Sequence, residues 1–69
     1  MEKFVFIGVG GQVLDNRPVE ADDRLAYLNS GAHDGIRCNI WKDGDLIQVF
    51  EKDDKSGLWQ VMDRDSFDY

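Results

Sequence analysis

The run Lys3 to Val9 (KFVFIGV) is aromatic and β-branched, and it is apolar at successive positions. That pattern predicts a strand buried on both faces. Gly10-Gly11 supplies a tight hairpin turn, returning the chain through Gln12-Val13-Leu14. Asp15-Asn16-Arg17-Pro18 reads as turn chemistry, with Arg17 pushed extended by the proline after it. The pattern then changes period. From about Val19 or Glu20 to Asn29, Ala21, Leu25 and Leu28 recur at helical spacing, and Glu20, Asp22 and Asp23 suit the positive end of a helix. Gly31 is the expected stop.

The sharpest local signal follows. Ile36 to Lys42 (IRCNIWK) and Asp45 to Lys52 (DLIQVFEK) flank Asp43-Gly44, the preferred pair for a two-residue type I′ hairpin turn. An unbroken ladder from that turn sets Trp41 opposite Leu46, Ile40 opposite Ile47, Asn39 opposite Gln48, Cys38 opposite Val49 and Arg37 opposite Phe50. Cys38, Ile40, Ile47 and Val49 then form one core face, and Trp41, Leu46 and Phe50 lie on the other beside Arg37, Asn39 and Gln48. A polar loop from Asp53 to Gly57 leads to a third strand, with Trp59 expected opposite Phe50 on the aromatic face.

The expected architecture is α+β: an N-terminal hairpin, a short helix over about 20–29, and an antiparallel meander over about 36–42, 45–52 and 58–63. The helix is expected to cover the Cys38 face. Two arrangements are open for the other face. Either the N-terminal hairpin folds over it and closes a small barrel, or Trp41, Phe50 and Trp59 stay partly exposed.

Length and charge narrow the function. A chain of 69 residues buries only about 60% of its unfolded surface, enough for one domain with residues 64–69 as a frayed acidic tail. Fourteen acids against eight Lys and Arg give a net charge of −6. Residues 1–42 carry six acids and five bases, whereas residues 43–69 carry eight acids and three bases. Such a field repels phosphate backbones and anionic lipid and attracts basic surfaces, so direct nucleic-acid and membrane binding are not expected. No run approaches the roughly 20 apolar residues of a membrane span. The single Cys38 permits no internal disulfide, which fits a reducing cytoplasm.

Candidate chemistry is thin. Gly8-Val9-Gly10-Gly11 after an apolar strand has the look of a Rossmann dinucleotide loop. That site needs a helix directly behind the glycines, and Gln12-Val13-Leu14 runs instead into Asp15-Asn16-Arg17-Pro18. A glycine hairpin is the expectation, with no cofactor. Cys38 and His33 are the only members of their kinds, so a nucleophile pair would rest on a cysteine placed in the core. One His and one Cys exclude a structural zinc site within the chain, and Asp63, Asp65 and Asp68 lack the calcium-loop spacing. No catalytic, cofactor or metal residue is assigned, and an enzyme is not expected.

Trp41 to Lys52 (WKDGDLIQVFEK), followed by Gly57-Leu58-Trp59-Gln60-Val61, resembles the middle of an SH3 domain. The resemblance covers about a third of the chain. The tyrosine-rich opening and the late proline-bearing segment of that family are missing, and Trp59 is the matched position that serves ligand binding there. It implies a strongly bent small sheet and, as one alternative function, an SH3-like peptide-binding module.

The function expected is a small acidic, non-enzymatic binding protein that docks on a larger macromolecule with a basic surface and inhibits or modulates it. Trp41, Phe50 and Trp59 would anchor it, and Asp43, Asp45, Asp53 and Asp54 would steer. Short acidic chains of this type are familiar among phage and mobile-element inhibitors, anti-defence proteins and nucleic-acid mimics included. The other alternative is a structural or regulatory subunit, a homodimer for instance, using the aromatic sheet face as an oligomer interface.

Overall fold

The computed structural model of the chain describes residues 1–30 and 34–62, and within them places five strands and one short helix. Strands β1 (Glu2–Ile7) and β2 (Val13–Val19) form the N-terminal hairpin, and helix α1 spans Arg24–Leu28. Strands β3 (Arg37–Lys42), β4 (Asp45–Lys52) and β5 (Trp59–Met62) complete the order. All five join one antiparallel sheet in the order β2-β1-β3-β4-β5. The sheet is open, so the N-terminal hairpin extends the meander edge to edge and does not close a barrel over it.

The glycine segment is the hairpin loop, closed by Gly8 N–H donating to Gln12 C=O at 2.9 Å and Gly11 N–H donating to Gly8 C=O at 3.0 Å. Beyond it the chain departs from expectation. Asp15-Asn16-Arg17-Pro18 continues β2 as an edge strand instead of turning. An edge tolerates proline because one side of the strand needs no donor. Asp15 and Arg17 face the side that α1 covers. There Arg17 pairs with Asp15 and lies 5.7 Å from the Phe6 ring centre.

Extension of β2 to Val19 shortens the helix. Asp23 is its N-cap, its carboxylate accepting from Ala26 N–H at 3.1 Å, so Glu20 and Asp22 precede the helix and do not form its first turn. A helix of five residues cannot stand alone. Leu28 is buried, Leu25 and Tyr27 pack on the core, and the Tyr27 ring meets Phe4 edge-on at 5.4 Å. Arg24 adds a clasp. Its guanidinium pairs with both carboxylate oxygens of Glu2 in β1 and donates to Gln48 Oε1 in β4 at 2.5 Å. Expected boundaries of the last three strands hold to within a residue where the structure describes them; Asp63, residues 64–69, Gly31 and His33 lie outside the described residues.

The type I′ turn forms as expected, with Asp43 and Gly44 at φ 53° and 84° and Lys42 opposite Asp45. The ladder beyond it is offset. Trp41 faces Leu46, but Ile40 faces Gln48, Asn39 faces Val49, Cys38 faces Phe50 and Arg37 faces Glu51. Ile47 is the extra residue of a β-bulge, and one extra residue exchanges the two faces of everything beyond it. Phe50 therefore enters the core beneath α1 and Val49 turns to the other face, the reverse of the unbroken register, although Val49 is buried there too, at 2% exposure. Trp59 faces Lys52, and Val61 takes the place opposite Phe50. Phe50 and Trp59 do share a face, but it is the core face beneath α1. There they join Phe4, Phe6, Leu28, Cys38 and Ile40, with Trp59 edge-on to Phe6 at 6.3 Å.

This register separates two cross-strand partners energetically. Phe50→Ala is expected to lower the unfolding free energy by about 3–5 kcal/mol, as for a fully enclosed phenylalanine. Val61→Ala, directly opposite but 54% exposed, should cost less than about 1 kcal/mol. Urea denaturation of the two variants checks the bulge, since an unbulged β4 would put Phe50 on the surface.

Candidate functional site

The seven residues expected to bind a partner fall into three places. Phe50 and Trp59 are core residues, 1% and 4% exposed, and anchor nothing outside the protein in this fold. Their burial also removes the SH3-like ligand position. Asp53 and Asp54 lie at the opposite end of the sheet from the β3–β4 turn. Asp53 organises its own loop, accepting from Lys55 N–H and from Ser56 Oγ, both at 3.1 Å. Trp41, Asp43 and Asp45 remain together at the β3–β4 hairpin, and all three are exposed.

Trp41 stands on the sheet face away from α1. Its cross-strand neighbours are Lys3 in β1 and Leu46 in β4. The next row along that face runs Asn16, Val5, Asn39, Val49 and Met62 across all five strands. Among the described residues no helix or strand packs over these rows. Trp41 is 36% exposed, so a large part of the indole is free while its stem packs on the sheet.

Sequence reasoning missed two members of this end. Glu20 and Asp22, read as helix-capping acids, lie where β2 leaves the sheet. They line a hollow with Met1, Val19 and Lys42. Lys42 is the residue before the Asp43-Gly44 turn, so Glu20, Asp22, Asp43 and Asp45 border one end of the sheet. Lys3 and Lys42 are the bases among them. The signal for this placement was Arg17-Pro18, an extended dipeptide compatible with an edge strand that carries the chain to that end.

The remaining candidate chemistry is structural where it is described. Cys38 is fully enclosed, and burial pushes its thiol up to about 12, opposed only by a backbone hydrogen bond at Val5. Its proposed partner His33 lies outside the described residues. Among those residues, no group of three or more His, Cys, Asp or Glu side chains could hold a metal ion, and no helix is long and apolar enough to cross a membrane.

Cys38 sets a test of its own. The unfolded thiol ionises from about 9.0, and the folded one only near 12. Stability from this group is therefore complete below pH 9 and is lost as pH rises from there toward 12. At pH 8 the native protein should resist iodoacetamide, whereas chain unfolded in urea reacts within minutes; mass spectrometry reads both.

No protein-family model matches the chain, nor does any curated protein or any solved structure.

Proposed function

We propose that the protein is a non-enzymatic binding protein that docks, through the β3–β4 end of its sheet, on a basic surface of a larger macromolecule. The observation that carries this reading is the grouping of an exposed Trp41 with four carboxylates, Glu20, Asp22, Asp43 and Asp45, at one end of a rigid sheet. An aromatic side chain with its stem already packed loses little freedom on binding, and a polar border around it is the usual make-up of an interface hot spot. The net charge of −6 steers the encounter from a distance.

The favoured partner is a protein whose basic groove otherwise holds a phosphate backbone. The carboxylates then stand in for phosphates and inhibition follows from occupancy, which is the behaviour of phage and mobile-element inhibitors acting in a host cytoplasm. A second reading has the Trp41 face covered by another copy of the chain. It is favoured by the half-buried, apolar Val5 and Met62 of the adjoining row.

Affinity capture from the host, followed by measurement with the purified partner, distinguishes these readings. Binding should weaken by at least about tenfold in Asp43→Asn/Asp45→Asn and in Trp41→Ala, each checked for native-like unfolding. It should also fall steeply between roughly 50 and 500 mM salt and be displaced by an oligonucleotide. Asn suits the positive φ at position 43, so the double variant keeps its turn. Affinity that ignores both the carboxylates and salt sinks the proposal. A stable dimer at low micromolar concentration, lost in Trp41→Ala, establishes the second reading in its place.

A further inference from the structure

The edge of the sheet at β5 is a second surface, which shares Asp22 with the Trp41 end. Asp53 N–H donates to Leu58 C=O at 2.9 Å, which makes Asp53 and Leu58 a hydrogen-bonded pair of the β4–β5 ladder. Bonding alternates along an antiparallel pair, so Trp59 and Val61 direct their N–H and C=O groups away from β4. An independent contact agrees. Trp59 N–H is taken up from outside the sheet by Asn29 Oδ1, at 2.8 Å, from the C-cap of α1. The helix thus closes one outward donor of this edge. The outward N–H and C=O of Val61, and the C=O of Trp59, have no acceptor or donor among the described residues.

A groove accompanies this edge. It has a volume of about 360 Å³ and runs between the start of α1 and strands β4 and β5. Ala21, Leu25 and Val61 contribute its apolar part over the buried Phe50, and Asp22 and Asp23 its acidic border, with Arg24 already committed to Glu2. Val61 is 54% exposed on this side. A strand laid along β5 would place alternate side chains over the groove.

We propose that β5 is a docking edge for an extended, basic segment of a partner protein, which adds a sixth strand by pairing with Val61 and with the carbonyl of Trp59. Backbone pairing supplies affinity in this mode, and side chains alternating toward the groove supply selectivity. The charge of the groove chooses the occupant. Lysine or arginine at the positions facing Asp22 and Asp23 gains an opposite charge, whereas a second copy of this chain, itself at −6, brings like charge to the same edge.

The test uses the full chain and a synthetic probe, the capped heptapeptide Lys-Val-Lys-Val-Lys-Val-Lys, followed by NMR and amide hydrogen exchange. Two companion peptides control it: one N-methylated on alternate amides and one with glutamate in place of lysine. Expected results are slowed exchange at the Val61 N–H and unchanged Trp41 signals. Binding should be at least about tenfold weaker for the N-methylated peptide, the effect of losing roughly one net hydrogen bond or more, and weaker still for the glutamate peptide. Val61→Pro removes the outward N–H without touching the β4 ladder, and it should weaken binding of the lysine peptide by at least about tenfold while leaving the Cys38 thiol inaccessible. Equal affinity for the lysine and N-methylated peptides overturns strand addition, because charge alone would then explain binding. Protection of Val61 that appears without peptide and grows with protein concentration also overturns it, in favour of a second copy.

Discussion

A single inserted residue, Ile47, sets the phase on which the rest of the molecule depends. By giving β4 one residue more than β3 at that point, it turns Phe50 inward against Cys38 and leaves Gln48 beside Ile40. Inward Gln48 then meets Arg24, which also holds Glu2, so the polar clasp fastening the helix to the sheet follows from the same insertion. Inward Phe50 requires its neighbours on β5 to follow, and Trp59 becomes a core residue stacked edge-on to Phe6. Without the bulge, the ladder would bring Val49 under the helix and expose a phenylalanine.

The short helix is the second dependent part. Strands β2 and β3 lie on either side of β1 and run in the same direction, so the connection between them must cross the sheet. Five helical residues do so with little intrinsic stability and are fixed at both ends by side chains. Asp23 caps the start, Arg24 ties it to β1 and β4, and Asn29 ties the end to β5. Truncated or broken, these contacts would leave a partly buried carboxylate or an unpaired strand N–H, which is where the stability of a small core is most easily lost.

Much of this arrangement was legible in the residues. The Asp43-Gly44 turn, the glycine hairpin, both strands of the central hairpin and the enclosed Cys38 follow from local chemistry that the fold does not override. Three things did not follow. A bulge carries no residue signature of its own here, because Ile47 and Gln48 suit either register and only the burial of Phe50 in the common core, opposite Cys38, distinguishes them. Asp15 to Pro18 has turn composition, yet its pairing with β1 wins because the edge of a sheet leaves proline's missing donor unneeded. The acids before the helix satisfied a helix-dipole argument equally well in two positions, and the length of β2 settled which. Of the candidate site residues, Trp41, Asp43 and Asp45 lie together, exposed, at the β3–β4 hairpin. Phe50 and Trp59 moved to the core with the bulge, and Glu20 and Asp22 joined through β2.

The two ends of the strand order are chemically unequal, and that has a consequence for stoichiometry. At β2 the border carries Pro18, with no donor, and the charged Asp15 and Arg17. At β5 it carries Val61, whose outward backbone groups have no partner among the described residues, and the Trp59 N–H that Asn29 takes up. A sheet open at both borders can add subunits without limit and grow into a fibre, whereas one blunted at β2 terminates after a single addition. The proline that disguised β2 as a turn thereby makes that border the poorer template, so strand addition of the kind proposed at β5 would not be matched at β2.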